Sequence, residues 1–355
     1  PLPPVLADPV SGLPWRSGFG QDAQLLTKLE AWRGRRAGVY SGWSNYTEAA
    51  TDWNGLRGGA LGKYDQMTGL FSTSGAYHLR LAWPLLDKRA VLIWVFPMLP
   101  ANEANSRKGG AKNWSNPRVW ERYATTQRAD WRANWMDVGA RTGNLLNTYS
   151  WPAEQFVFDL GWEATGQWYP WSVGPDGANF KNCWKAAVDA IRAGVEITCP
   201  GAGSKVRFQF RYAGEMWSDG NWNISTLWPG KDWSSTLGIS AHASTSLWSQ
   251  EANWALELAG NDRQTGLSRT VEFARAEGVQ IGLNEWAIVR NQKSADHPAD
   301  PKPYDAMKRF LGWCQDNAAM IAWECYLHSS QFTLLDSEKD WGGGKAYLEM
   351  IKPVA

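Results

Sequence analysis

Gln155–Glu163 reads QFVFDLGWE and Lys205–Ala213 reads KVRFQFRYA; between them Trp184, Ala187, Val188 and Ile191 fall at i, i+3, i+4 and i+7. Two short apolar runs flanking one helical period form a β-α-β unit, because runs without strict alternation suit strands buried on both faces and joined by crossover helices. Six more runs extend the pattern: Ala37–Trp43, Gly62–Phe71, Ala90–Met98, Thr236–Ala243, Val279–Ala287 and Met320–Leu327. Gly62–Phe71 is polar at its start, and Tyr77–Leu85 could stand in its place. Met307, Phe310, Leu311 and Cys314 repeat the helical spacing. Arg118–Asn144 is predicted as one long helix entered through Asn116-Pro117, with Trp131, Trp135 and Val138 facing inward. Leu267–Glu277 is predicted to stop at Gly278. Eight alternating units predict an α/β fold, a single-domain (β/α)8 TIM barrel with long βα loops at Leu99–Asn116 and Asp219–Asp232. Residues 1–36 read as an N-terminal extension whose helix, with Leu25, Leu29 and Trp32 on one face after a capping Asp22, covers the barrel bottom; 37–355 read as the barrel.

The chain has 355 residues, 36 Lys+Arg against 35 Asp+Glu, and a formal net charge of +1. That balance predicts neither a nucleic-acid partner nor a disordered tail, and no apolar run is long enough to span a bilayer. The opening Pro-Leu-Pro-Pro, without Met or a leader, reads as a removed targeting peptide or an excised domain. Cys183, Cys199, Cys314 and Cys325 form no CxxC pair; local pairings 183–199 and 314–325 and buried free thiols are both compatible with the spacing. Four scattered histidines without HExxH predict no metal, and without a Walker A motif, a GxSxG elbow or a dinucleotide fingerprint no cofactor is expected. Three Asn-x-Ser/Thr matches, at Asn45, Asn113 and Asn223, carry no weight without a host.

Twenty-five tryptophans outnumber the 11 Tyr and 11 Phe together. Several, including Trp114, Trp168, Trp171, Trp217, Trp222 and Trp228, sit near Gly, Asn and Pro in apparent loops. Loop indoles offer flat faces suited to the C–H faces of sugar rings, which predicts a carbohydrate ligand. Catalytic groups of this barrel class sit at the C-terminal strand ends, and there Glu163 closes the fourth run and Glu285 the seventh, each beside Trp. A charge ending an apolar strand needs a partner or a cleft. One such Glu is equally well a rim ion pair; two across a barrel mouth suit glycoside hydrolysis, which uses a carboxylic acid and a carboxylate. Arg211 and Asp159 are candidate partners of these carboxyls, or a plain barrel ion pair, and Glu324 is expected to point outward by strand alternation.

Glu163 and its continuation Ala-Thr-Gly-Gln-Trp-Tyr-Pro-Trp resemble the acid/base motif of glycoside hydrolase family 26, a Glu followed by Asn-Gly-x-Trp-x-Pro-Trp. Leu227–Trp233 and Leu237–His242 resemble that family's Tyr-Pro-Gly-Asp segment and sixth strand, and Gln280–Glu285 occupies the place of its nucleophile strand. The resemblance implies a retaining mechanism with Glu163 as general acid/base and Glu285 as nucleophile. It places His242 where the family has a Tyr bonded to the nucleophile, and Trp323 as the indole flooring the sugar site. Trp168 and Trp171 are expected as stacking platforms, with Trp43, Trp217 and Arg211 as further substrate contacts. Trp162 stands where the family has a His and Thr165 where it has an Asn, so the family's β-1,4-mannan specificity is not carried over. The expected protein is an endo-acting glycosidase, monomeric and extracellular or periplasmic, on a β-linked polysaccharide or oligosaccharide. The alternatives are an inactive carbohydrate-binding barrel and a phage or exopolysaccharide depolymerase.

Overall fold

Eight strands, each hydrogen-bonded in parallel to the next, close on themselves in sequence order in a computed structural model. The structure describes residues 7–21, 23–43, 53, 82–105, 114–213, 224–244, 248–261, 265–289, 302–328, 334 and 342–351. The strands are β1 (Arg16–Gln21), β2 (Val39–Trp43), β3 (Val91–Phe96), β4 (Phe156–Leu160), β5 (Arg207–Ala213), β6 (Thr236–Ser244), β7 (Gln280–Val289) and β8 (Ile321–His328). Among the described residues nine helices accompany them: α1 (Leu26–Arg33), α2 (Val119–Ala124), α3 (Arg128–Tyr149), α4 (Gly177–Thr198), α5 (Ile224–Leu227), α6 (Glu251–Ala259), α7 (Leu267–Glu277), α8 (Lys302–Asp316) and α9 (Gly342–Ile351). This is the single-domain (β/α)8 barrel the sequence predicts.

The crossover helices follow the predicted faces. Trp184, Ala187, Val188 and Ile191 of α4 and Met307, Phe310, Leu311 and Cys314 of α8 are all fully buried. Helix α7 ends at Gly278, whose φ of +72° forms a left-handed cap donating to Ala274 and Arg275. The long helix predicted over Arg118–Asn144 is instead two helices. Thr125 closes α2, its hydroxyl returning to the Glu121 carbonyl at 2.7 Å, while Thr126 does the same toward Arg122 at 3.4 Å. Two successive threonines bonding back to carbonyls compete with the helical ladder.

The first strand corrects the reading of residues 1–36. That stretch supplies β1, paired to β2 and β8, and α1, the first barrel helix, so the barrel begins at Arg16. Ala37–Trp43 is therefore the second strand; Gly62–Phe71, Asp22 and most of Tyr77–Leu85 lie outside the described residues. The close approach of β1 to β2 needs glycine, for a Cβ on Gly18 would lie 1.7 Å from the Val39 carbonyl oxygen. Strands three to eight keep their predicted ordinals.

Among the described residues, ten of the twelve largest fully buried side chains are tryptophans, so most of their indole surface is spent on the core. All four cysteines are free thiols: Cys183 bonds the Trp120 carbonyl at 3.4 Å and Cys199 the Asn147 side chain at 3.1 Å. Neither local disulfide forms. Among the described residues no helix is long and apolar enough to cross a membrane.

Candidate active site

The C-terminal mouth is shaped by an irregularity in β7. On the β8 side Leu283 pairs with Glu324 and Trp286 with Tyr326, so Asn284 and Glu285 together face one residue. On the β6 side Gly282 pairs with Gly238 and Glu285 with Ser240. A bulge re-aims side chains. Here it turns Asn284 and Glu285 both into the barrel, while Trp286 stays outside, its ring 4.2 Å from Phe310 of α8 and its Nε1 donating to Glu324.

Inside, Arg211 of β5 carries the network. Its Nε pairs with Asp159 of β4 at 2.7 Å, and its Nη1 donates to Ser240 of β6 at 2.8 Å and to Glu285. Asn284 donates to Asp159 at 2.6 Å and accepts from Gln209, which in turn accepts from Trp323 at 3.1 Å. His242 stands two residues beyond Ser240 on the same inward face of β6, its Nε2 3.4 Å from Glu285.

Glu163 arrives differently. β4 ends at Leu160, and the chain turns through Gly161 and Trp162 so that Glu163 adopts a φ of +53°. A non-glycine residue in that region costs on the order of 1–3 kcal/mol and marks functional sites. The turn is fixed by Glu163 accepting from the Gly166 backbone at 2.8 Å, and by Thr165 accepting from the Ala213 backbone at 2.9 Å. Trp168 donates its Nε1 to Glu163 Oε2 at 3.0 Å.

The two carboxyls are driven apart in acidity. Burial pushes Glu163 above the ordinary carboxylate range, reinforced by the charge of Glu285 and only partly opposed by Arg211 and His242. Burial pushes Glu285 the same way, but the Arg211 guanidinium and the hydrogen bond and charge of His242 override it and hold the carboxyl low. Burial disfavours the imidazolium of His242, yet its bond to Glu285 raises its pKa on balance. One group is held as the acid, its neighbour as the carboxylate.

Oxygens of Glu163 and Glu285 and a ring nitrogen of His242 lie within 4.8 Å of one another, a set of three that could hold a metal ion. The chemistry of the set argues against one: Glu163 prefers its proton, and Arg211 already supplies a cation to Glu285.

The other predicted residues divide. Trp168 keeps 43% of its surface exposed beside Glu163 and is placed to meet a ligand. Trp43 is half-buried at the end of β2, its ring lying over Gly20 of β1. Trp171 does not fit the role of an open platform: it is fully buried, its Nε1 donating to the Trp162 carbonyl at 2.7 Å and its ring stacked on Tyr169. Trp323 is likewise fully buried, paired with Gly282 of β7 and under the Arg207 guanidinium, and it packs the barrel rather than flooring a cleft. Arg211 has no exposed surface, so it grips Asp159 and Glu285 instead of a substrate. Trp217 lies outside the described residues. Glu324 does point out of the barrel, but into a buried layer where it meets Ser17 and Trp286. Sequence reasoning missed Ser240, Asn284 and Gln209; a buried amide or hydroxyl in an apolar strand was the available signal.

Neither a family sequence model nor a curated relative matches the chain. Solved structures do match. GH26C from Muricauda sp. MAR_2010_75 superposes with a TM-score of 0.61 at 10% identity, covering 97% of this chain and 86% of that one. The catalytic domain of the Bacillus sp. JAMB-750 GH26 endo-β-1,4-mannanase gives 0.58 at 12% identity, with 95% and 85% covered. A double mutant of the Cellulomonas fimi endo-β-1,4-mannanase gives 0.55 at 15% identity, with 95% and 69% covered. The chain has the fold of these enzymes. The motif resemblance to family 26 is thus accompanied by a likeness of architecture over nearly the whole chain.

Proposed function

We propose that the protein is a retaining glycoside hydrolase, with Glu163 as general acid/base and Glu285 as nucleophile. The observation that carries this reading is the pair itself: two carboxyls of opposite acidity at the C-terminal mouth, with oxygens within 4.8 Å of each other. Retaining enzymes hold their carboxyls about 5–5.5 Å apart, whereas inverting ones leave roughly 6.5–9.5 Å for a water between them. The close approach supports direct attack.

In the first step a Glu285 oxygen attacks the anomeric carbon, the glycosidic C–O bond breaks, and Glu163 gives its proton to the departing oxygen. In the second, Glu163, now a carboxylate, takes a proton from water as the water oxygen displaces Glu285 and releases the sugar. Arg211 and His242 keep Glu285 ionised for the first step and stabilise it as it departs in the second. The half-exposed Trp168 ring, with Trp43 at the end of β2, supplies stacking surface for sugar rings.

The substrate class is a β-linked polysaccharide cleaved internally, in keeping with the endo-β-1,4-mannanases that share the fold. A polymer of that size is met outside the cytoplasm, and one chain carries the whole catalytic group, so a secreted monomer suffices. The test is a reducing-end assay over plant and bacterial polysaccharides with wild type, Glu163→Gln and Glu285→Gln. Release of oligosaccharides from one polymer, lost in both variants, is the expected result. A polymer bound equally by all three proteins and cut by none would replace the hydrolase with a binding barrel. Proton NMR of fresh hydrolysate should show the substrate's own anomer first; the opposite anomer would overturn retention.

A further inference from the structure

Glu285 owes its place inside the barrel to an irregularity, and a hydrogen bond on the outer face of the sheet spans it. β7 carries one residue too many against β8: Leu283 pairs with Glu324 and Trp286 with Tyr326, so the extra residue falls at Asn284-Glu285. With Asn284 inside, a regular strand would put Glu285 outside and Trp286 back inside, so the site exists only while the irregularity stays where it is. Trp286 Nε1 donates to Glu324 Oε2 at 2.7 Å. That bond joins the residue after the bulge to the strand partner of the residue before it.

Glu324 is fixed in its turn. It has no exposed surface, and its other oxygen accepts from Ser17, its register partner on β1. The Ser17 hydroxyl accepts from Arg33 Nη1 at 3.0 Å and turns its single proton on Glu324. Arg33 of α1 is itself fully buried, donating also to the carbonyls of Ser17 at 3.1 Å, Arg35 at 3.0 Å and Arg36 at 2.6 Å. A buried carboxyl is costly unless it is hydrogen-bonded, and the two-carboxyl chemistry makes no use of this one. We propose that Glu324 is a positioning residue: by accepting from Trp286 across the bulge it holds that side chain outside the barrel and Glu285 inside, against Arg211 and His242. This role rests on the assignment of Glu285 as nucleophile and adds what keeps that group on the cleft side of its strand.

The Trp286 ring and its N–H divide the work. Stacking on Phe310, with centroids 4.2 Å apart, gives the indole an apolar seat that a phenyl ring would keep. The hydrogen bond is directional and ends on a carboxyl anchored through β1 and α1, so it fixes where along β7 the extra residue sits. Inside the barrel Asn284 mirrors the arrangement, donating to the buried Asp159 at 2.6 Å. The nucleophile is thus flanked by two residues whose N–H groups each end on a buried carboxyl, one on either face of the sheet.

His242 reports the position of Glu285 without turnover, because the contact between them raises the imidazole pKa. The chain has four histidines, so NMR of the ring protons follows each, and His242 is assigned by its absence from His242→Gln. Trp286→Phe keeps the stack and removes the N–H; Glu324→Leu removes the acceptor. Each is expected to lower the His242 midpoint by about one unit, a tenfold change in acidity, and the two together should do no more than either alone. Glu324→Gln still offers an oxygen to Trp286 and should return the midpoint near wild type. On an aryl glycoside Trp286→Phe should raise the acidic limb of kcat/KM, set by Glu285 as it faces Arg211, His242 and Glu163, and leave the alkaline limb in place. Lower stability with a His242 midpoint within about 0.2 units of wild type in Trp286→Phe would reduce the pair to a packing contact and overturn the proposal. Should Glu324→Leu fail to fold, Trp286→Phe decides alone. If wild type cleaves no glycan the hydrolase reading falls, and the His242 midpoint still settles whether Glu324 holds Glu285 in place.

Discussion

The turn after β4 and the bulge in β7 bring a glutamate each to one cleft by opposite means. Glu285 sits on a strand that continues to Val289, its oxygens taken by Arg211 and His242, both basic groups. Glu163 sits off the end of its strand in a left-handed conformation, its side chain accepting from the neutral indole of Trp168. Near-complete burial is common to the two; what differs is whether the donors carry charge. A buried carboxyl met by cations stays ionised, whereas Glu163, whose neutral donor does not outweigh burial and the nearby charge of Glu285, keeps its proton. The difference between acid and nucleophile therefore lies in the company each carboxyl keeps.

The sharpest break of this comparison removes each carboxyl in turn. On an aryl glycoside Glu285→Ala should lose on the order of 10^4-fold or more in rate, and Glu163→Ala about 10^2–10^4-fold on unactivated substrates. Added azide should then tell the roles apart. In Glu285→Ala it fills the vacated space and attacks the sugar directly, giving the glycosyl azide of inverted configuration. In Glu163→Ala it attacks the glycosyl-enzyme, giving the retained configuration. The same anomer from both variants would dissolve the distinction.

Stability against pH probes the same contrast without substrate. Glu163 has its folded pKa raised above the unfolded value of about 4.3, so its contribution is full below that pH and is lost as pH rises through the raised value. Glu285 has its folded pKa depressed, so its contribution is present above about 4.3 and is lost as pH falls through the depressed value. Urea unfolding of wild type and the two Gln variants should show wild type losing ground to Glu163→Gln as pH rises. It should lose ground to Glu285→Gln as pH falls. Each slope approaches about 1.4 kcal/mol per pH unit at its steepest. Slopes of one sign would mean that the two carboxyls share an environment.

Trp168 gives a smaller effect on one side only. Trp168→Phe keeps a ring but removes the N–H on Glu163, so the carboxylate loses a donor and the acid's pKa rises further. The alkaline limb of kcat/KM should move up while the acidic limb, set by Glu285, stays in place; the cost in kcat is about tenfold, near 1.4 kcal/mol. Movement of both limbs together would show that the two environments are not separable.

What could be read in the sequence divides along the same line. Strand order from the third run onward and the positions of Glu163 and Glu285 came from apolar runs and charges at their ends, and the α7 stop from Gly278, all local signals; His242 came from the resemblance to family 26. β1 was missed because RSGFGQ holds one large apolar residue, its glycines being chosen for close approach to β2 and Trp43. Trp171 and Trp323 were misassigned because an indole looks alike in a cleft and in a core; only the fold decides which face it meets. The grip of Arg211 on Glu285 could be proposed from strand alternation, but the bulge that brings Asn284 and Glu285 to one side breaks the period of two on which such reasoning depends.

Positive φ occurs at Glu163 and also at Gly278, the cap of α7, and the pair separates strain that serves a site from strain that serves the fold. A Cβ at Gly278 would meet nothing within 4 Å, so Gly278→Ala tests the backbone conformation alone. The left-handed region costs an alanine about 1–2 kcal/mol, offset by about 0.4–1 kcal/mol from the lower entropy of its unfolded chain. The net loss should be near 1 kcal/mol in urea unfolding, with kcat/KM unchanged. Glu163→Gly relieves the same conformation but removes the acid, so it should unfold no more readily than Glu163→Ala, and more reluctantly if the turn stores strain. Equal stability of those two variants would show that the turn after β4 holds Glu163 at φ +53° without measurable strain, and that the conformation is inherited from its Gly166 and Thr165 hydrogen bonds rather than forced on the carboxyl by the site.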